Sequence, residues 1–257
     1  GDRMFVGTRG GLWVSDGTVA GTRLVRVLDF YPTGLKDIGD GAACYFSDAN
    51  GALWRSDGTA EGTQLVRFID PFFPLYDITP ASITEAGPWI FFRAIDGIFG
   101  TELWRTDGTW DGTRLVGDLN PLGGSFPEYL RTLGNKLVFA ADDGAHGWEP
   151  WVSDGEAEST ALIADLNPLG SAYPRNFYDP GDGYLLFSAD DGTGHELWRT
   201  DGTLPGTGLA VGPPFEGKQV VGLDGSLYML GWDGVTPGLL RSDGTQLGTS
   251  LVAPVPA

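Results

Sequence analysis

Two acidic pairs, Asp142-Asp143 and Asp190-Asp191, and two Asp-x-Asn triplets, Asp118-x-Asn120 and Asp165-x-Asn167, have the residue types for metal chemistry. Carboxylate and amide oxygens are hard donors, and with loop carbonyls added they suit calcium. The same residues suit Asx turns that cap loop amides, and their spacing matches neither an EF-hand nor an RTX repeat, so an ion-free reading stands beside the calcium one. Nitrogen chemistry rests on His146 in GAHGWEPW and His195 in GTGHELW, which could share an ion or serve as a base. Neither histidine has a Ser or Cys nucleophile beside it, and HExxH, GxSxG and P-loop patterns are absent. Trp148 and Trp232 fall in segments that differ from copy to copy of a repeat. An exposed indole beside carboxylates and Asn would stack on a sugar and hydrogen-bond at its rim; burial under a neighbouring loop is the competing role.

These residues lie between copies of one cassette, best seen in LWRTDGTWDGTRLV at 103–116. It recurs six times, with its Asp at Asp16, Asp57, Asp107, Asp154, Asp201 and Asp243, at intervals of 41, 50, 47, 47 and 42 residues. Three residues before each Asp stands Trp13, Trp54, Trp104, Trp151, Trp198 or Leu240, and six after it Thr22, Thr63, Thr113, Thr160, Thr207 or Thr249. The Asp-Gly pair is a strong hairpin signal, because Gly accepts positive φ and Asp bonds amides two residues on. It is expected to join two strands, c and d. The Trp on strand c should bury its ring between neighbouring units, where its N–H needs a partner. The fourth copy, SDGEAEST, and the sixth, with Leu240 for Trp, decay in ways a scaffold tolerates and a shared catalytic role would not.

Two further strands, a and b, precede each LW from residue 35 onward, as in PEYLRTLGN and KLVFAAD. The first unit shows only RMFVGT, GLWVS and TRLVRVL. Four short antiparallel strands per 40–50 residues mark a propeller blade. The expectation is therefore an all-β, six-bladed β-propeller of four-stranded antiparallel blades, one blade short of a strand, occupying 1–257 as a single domain. The Asp-Gly turns then share one end of the blades. The b–c loops and the d-to-a crossings share the other, where variable loops on a fixed scaffold usually carry binding. Each crossing pairs an aromatic with proline, as in Tyr31-Pro32, Phe73-Pro74, Phe126-Pro127 and Tyr173-Pro174, with Phe215 after Pro213-Pro214; blade packing is the expected reason. The a strands offer Asp37, Asp77, Glu128, Arg131, Asp179 and Lys218, a mixed set with no catalytic focus.

Composition narrows the partners. With 34 acidic against 16 basic residues, the formal charge is -18, which repels phosphate backbones and argues against nucleic acid. Cys44 is the single cysteine, so no internal disulfide forms, and its place in ACYFSD suits a small buried hydrophobe. No apolar run approaches a membrane span. The start, GDRMFVG, is not a signal peptide and lies inside a repeat, as expected of a mature or trimmed chain or a fragment.

ELWRTDGT at 102–109 and HELWRTDGT at 195–203, followed by GT and by LVxDLNP-like segments, resemble the ELWxxDGT repeats of secreted and surface-attached bacterial proteins, over the whole chain. The resemblance implies an extracellular or cell-surface setting and a propeller-like array, and implies no enzymatic activity. The hairpin is also similar to the Asp-box of sialidase propellers, with different spacing. At the motif's glutamate the first, second and sixth copies are read with Gly11, Ala52 and Leu239, and the fourth with Pro150, so six equivalent sites are not expected. The function expected is a non-catalytic binding or adhesion module for a glycan or surface protein, alone or within a larger protein. The alternatives are a calcium-dependent glycan hydrolase or lyase, and a structural repeat of a surface assembly.

Overall fold

The computed structural model describes residues 3–39, 43–48, 51–69, 83–211, 220–223, 226–232, 236–243 and 248–254. The chain forms two compact units, Gly1–Phe126 and Pro127–Ala257.

In the first unit, β1 (Met4–Thr8), β2 (Gly11–Ser15) and β3 (Arg23–Arg26) form a three-stranded sheet. Two four-stranded sheets follow. One contains β4 (Thr33–Ile38), β5 (Ala43–Ser47), β6 (Ala52–Ser56) and β7 (Gln64–Phe68), the other β8 (Thr84–Ala86), β9 (Trp89–Asp96), β10 (Gly100–Thr106) and β11 (Arg114–Leu115). The second unit has three four-stranded sheets. These are β12 (Glu128–Leu133), β13 (Lys136–Asp142), β14 (Trp148–Ser153) and β15 (Ala161–Leu162); β16 (Arg175–Tyr178), β17 (Leu185–Asp190), β18 (His195–Thr200) and β19 (Gly208–Val211); and β20 (Val220–Leu223), β21 (Ser226–Trp232), β22 (Pro237–Ser242) and β23 (Ser250–Pro254). Every pairing is antiparallel between chain neighbours, which makes each sheet a propeller blade. The chain is thus an all-β, six-bladed β-propeller with its first blade one strand short. Among the described residues the helical content is one 3-10 turn, Ala157–Ser159.

The second strand of the fourth blade is buried on both faces, and its sequence is a continuous apolar run. In β13 Leu137, Val138, Phe139, Ala140 and Ala141 are all fully buried. Successive blades within a unit share clusters: Phe5, Leu12 and Val14 pack with Cys44 and Phe46, and Leu186 and Leu197 pack with Leu227, Met229 and Leu240. Leu240, 1% exposed, fills its Trp's place in that second cluster. Cys44 has no exposure, and burial pushes its thiol up to about 12, as a packing residue requires.

The cassette turn closes on itself. In the third blade the Asp107 carboxylate accepts from the Thr109 amide at 2.9 Å and its hydroxyl at 2.6 Å, and Thr109 Oγ1 accepts from Gly112 N at 3.0 Å. Thr113 spends its proton on the Thr109 carbonyl, so in the 2.6 Å Thr106–Thr113 contact Thr106 donates, leaving its own oxygen to accept from Gly108 N. The same network surrounds Asp16, Asp57 and Asp201. In these four turns the hydrogen bond from the Thr hydroxyl holds the carboxyl below its usual range. The residue before each Asp therefore has to carry a hydroxyl, a requirement the sequence reading passed over. The second glycine is required by close approach: a Cβ on Gly112 would lie 2.0 Å from Asp107 Oδ1.

Ser159 stands at that glycine's place in the fourth turn. Its hydroxyl donates to Asp154, supplying the bond that the missing Thr, here Glu156, would make. Two departures from the consensus thus compensate each other. Of the sixth turn, residues 244–247 lie outside the described residues; Ser242 and Thr249 keep their hydroxyl contact at 2.6 Å.

Three expectations need correction. The indole of Trp54 does find a partner, Asp48 at 3.0 Å, whereas the buried Nε1 atoms of Trp104, Trp151 and Trp198 have none among the described residues. Asp48 lies two residues past Phe46, the cross-strand partner of Trp54; the equivalent places past Phe92, Phe139 and Phe187 hold Ala94, Ala141 and Ala189, which offer no acceptor. The aromatic-proline pairs pack through proline. Pro32, Pro127 and Pro174 are buried, while Tyr31, Phe126 and Tyr173 are 53%, 47% and 56% exposed. Positive φ at Phe126 (48°) and Tyr173 (49°) turns those two rings outward. Phe73, Pro74, Asp77, Pro213, Pro214, Phe215 and Lys218 lie outside the described residues. Strand register also realigns the motif's glutamate: Glu102, Glu149 and Glu196 stand opposite Ala94, Ala141 and Ala189, so Pro150 occupies the Leu place and Gly238, not Leu239, is the sixth counterpart.

Candidate functional site

At the crossing end of the third blade, Glu102 is fully buried. Its carboxylate accepts from the Ser125 amide at 2.7 Å, the Leu119 amide at 3.4 Å and the Ser125 hydroxyl. Glu149 repeats this in the fourth blade, accepting from Leu166 N at 2.9 Å and Ala172 N at 3.0 Å. Each glutamate thereby ties a crossing segment to strand c. Burial pushes both carboxyls up to about 7, against the hydrogen bonds, which favour the ionised form. Glu196 has the same register, accepts from the Thr193 hydroxyl at 2.9 Å and is raised by burial; residues 212–219 of the crossing that follows lie outside the described residues.

Of the residues with the oxygen donors for calcium, the paired aspartates and the two asparagines are engaged as loop caps. Asp142 accepts from Gly144 N, Asp143 from Ala145 N and His146 N, Asp190 from Gly192 N and Gly194 N, and Asp191 from Thr193 N, sharing the Thr193 hydroxyl proton with Glu196. Asn120 and Asn167 accept from Leu122 N and Leu169 N, and donate to the carbonyls of Gly124 and Ser171. Asp118 and Asp165 raise the carboxyls of Glu102 and Glu149 through charge. Among the described residues no three His, Cys, Asp or Glu side chains gather as a metal would need.

The structure separates the two histidines. His146 lies exposed in its loop, its Nδ1 2.7 Å from Asp143 Oδ2. That hydrogen bond and charge raise the imidazole's pKa; Asp143 is lowered, its contacts with His146 outweighing burial. His195 opens β18 opposite Asp190, the register place that Trp148 takes in β14 opposite Asp142. The true counterpart of His195 is therefore Trp148.

Both line a pocket of about 410 Å³ in the second unit, together with Glu128, Tyr129, Tyr173, Pro174 and Arg175. Four segments build it: the starts of β12 and β16, and the b–c loop ends that open β14 and β18. Trp148 is fixed through its backbone, its N–H donating to Ser171 Oγ at 3.0 Å and its carbonyl accepting from Ala172 and Tyr173. Tyr129 sits in a bulge of β12, between Glu128 and Arg131, at φ 54°. The matching bulge of β4 holds Gly34 at φ 63°, where a glycine takes the left-handed conformation without strain. For a tyrosine it costs about 1–2 kcal/mol. Yet Tyr129 is 46% exposed, so burial returns little of that cost.

Sequence reasoning singled out Trp148 and His195, placed Glu128 on strand a, expected Tyr173-Pro174 to pack, and missed Tyr129 and Arg175. The overlooked signal was a tyrosine where another copy has glycine. Trp232 ends β21 opposite Pro237, and its side chain lies outside the described residues.

No family model and no curated protein matches the sequence. Among solved structures, the chain is similar to the computationally designed protein Ika8, at 19% identity and TM-score 0.56, over 99% of this chain and 71% of that one. A puromycin-hydrolyzing peptidase of Mycobacterium tuberculosis matches at 14% identity and TM-score 0.54, over 100% of this chain and 46% of that one. Pyrococcus horikoshii acylaminoacyl peptidase matches at 12% identity and TM-score 0.51, over 98% and 43%. At these identities the likeness is one of fold, and the chain spans less than half the length of either peptidase. No helix among the described residues is long and apolar enough to cross a membrane.

Proposed function

We propose that this propeller is a non-catalytic binding module of an extracellular or cell-surface protein, and that it holds a glycan in the pocket of the fourth and fifth blades. The observation that carries the reading is the exposed, strained Tyr129 beside Trp148 and Tyr173 around one cavity. Three rings with polar groups at the rim suit a sugar, whose C–H faces stack on aromatics while its hydroxyls bond outward. The volume lies within the roughly 300–1,000 Å³ of small-ligand pockets. The resemblance to ELWxxDGT repeats supports the surface setting. Protein capture through the same loops is the other form of the binding reading.

A hydrolase or lyase reading has one observation in its favour: Glu128 and His195, a carboxyl and an imidazole, line the same pocket. The two readings part on turnover. Calorimetric titration with a panel of oligosaccharides should give saturable binding, lost by at least tenfold in Trp148→Ala, with every saccharide recovered intact. Release of shortened or unsaturated products would overturn the non-catalytic reading, and binding undiminished in Trp148→Ala would overturn the placement in this pocket.

A further inference from the structure

Arg175 and His195 set the pocket apart from a plain aromatic platform. Arg175 lies at the start of β16 and is half-buried, and its Nε is enclosed without a hydrogen-bond partner. No ion pair or hydrogen bond reaches its guanidinium among the described residues. His195, also half-buried, has an enclosed Nδ1 without a partner. An enclosed polar nitrogen left unpaired costs about 1–3 kcal/mol, and here two residues that line one cavity each carry one.

The contrast with other arginines of the chain is instructive. Arg23 and Arg26 donate to the carbonyls of Gly58 and Thr63, Arg67 to those of Trp110 and Thr113, and Arg199 lies over the Tyr184 ring. In a chain with 34 acidic residues, a carboxylate partner for an arginine is easily found. Arg175 instead lines a cavity with no ion pair among the described residues.

A planar guanidinium is suited to a carboxylate, which it can meet with two parallel hydrogen bonds. Trp148, Tyr129 and Tyr173 supply ring faces for a pyranose, and Glu128, which has a contact of its own in the structure, offers an acceptor for a sugar hydroxyl. We infer that the pocket is selective for a carboxylated sugar, with Arg175 and His195 reading the carboxylate of a uronic acid residue while the aromatic rings stack on its ring. This assignment rests on the glycan reading above and narrows it to acidic polysaccharides. The chain's overall charge of -18 repels such polymers at long range, so capture depends on this local cation and is aided by moderate salt, which screens the repulsion more than the enclosed contact.

The test compares one oligosaccharide in two charge states. Oligogalacturonate, its fully methyl-esterified form, and matched glucuronate and mannuronate oligomers with their esters are titrated into the intact chain by calorimetry. At least one acid form should bind tenfold or more tightly than its ester. Arg175→Gln should bring acid down to ester, Arg175→Lys should keep part of the preference, and Trp148→Ala should lose both ligands. His195→Gln, expected to lower the acid's affinity severalfold, serves as the second variant should Arg175→Gln fail to show the parent's circular dichroism and melting. Equal binding of acid and ester overturns the carboxylate selectivity and leaves the glycan reading standing. A preference that survives in both Arg175→Gln and His195→Gln overturns the assignment to these residues. If every saccharide, charged or neutral, fails to bind, both readings fall, and a short peptide with a free C-terminal carboxylate binding in their place would identify the occupant as protein.

Discussion

At the turn end of the third blade, Asp107, Thr106, Thr109 and Thr113 engage one another and the loop amides in a closed chain of hydrogen bonds. At the crossing ends of the fourth and fifth blades, Tyr129 is held in a strained backbone state, and Arg175 and His195 each keep an enclosed nitrogen unpaired. Both regions are built on the same kind of four-stranded antiparallel blade. A self-satisfied turn gains nothing from a ligand and can be copied blade after blade. Backbone strain persists only where the surrounding structure holds it, and such strain clusters at ligand sites.

The sharpest way to break the turn end is Gly112→Ala. The added carbon would displace the Asp107 carboxylate and the bonds it accepts, a loss expected at about 3 kcal/mol and read by denaturant unfolding. The fourth turn sharpens the same point. Ser159→Gly alone should destabilise by about 1 kcal/mol, because Asp154 loses a hydroxyl donor, and adding Glu156→Thr should restore that loss by rebuilding the consensus network. A double variant no better than the single one would disprove the compensation.

The two ends should also respond to pH in opposite directions. Glu102 and Glu149 have folded values of about 7, above the ordinary glutamate range, so the folded chain takes up their protons more readily than the unfolded chain. Their contribution therefore rises as pH falls from about 7 toward the ordinary glutamate value of about 4.3. The turn aspartates have folded values held low; their contribution is present above the ordinary aspartate range and is lost as pH falls through the folded values. The melting temperature should peak near pH 5. Glu102→Gln with Glu149→Gln should flatten the limb between pH 5 and 8 and leave the acid limb unchanged; an unaltered upper limb would remove these glutamates as its cause.

The smallest expected effect tests the strained tyrosine. Tyr129→Gly relieves the left-handed conformation and should raise stability by up to about 1 kcal/mol while lowering affinity for the pocket's saccharide. Stability and binding moving in the same direction would show that Tyr129 is a packing residue.

Periodicity made the blades readable because the Asp-Gly turn, the apolar second strand and the LW strand are each determined by neighbours in the chain. The strand complement, short by one in the first blade, follows from counting those segments. The ion-ligand candidates were visible too, but whether a carboxylate spends its oxygens on loop amides depends on loop geometry, and Asp142, Asp143, Asp190 and Asp191 spend theirs so. Glu102 and Glu149 show the limit from another side. The motif displays them, yet their role comes from crossing segments that return to them across 17 and 23 residues.

The sequence by itself determined which residues turn, which pair as strands and which are buried, since those depend on hydrogen bonds and apolar faces repeated at short range. Only the tertiary structure decided that Tyr129 occupies glycine's conformation and that Trp148, His195 and Arg175 line one pocket, with the Arg175 Nε unpaired among the described residues. A pocket is assembled from segments tens of residues apart, and its chemistry lies in which of their polar groups the fold leaves unsatisfied.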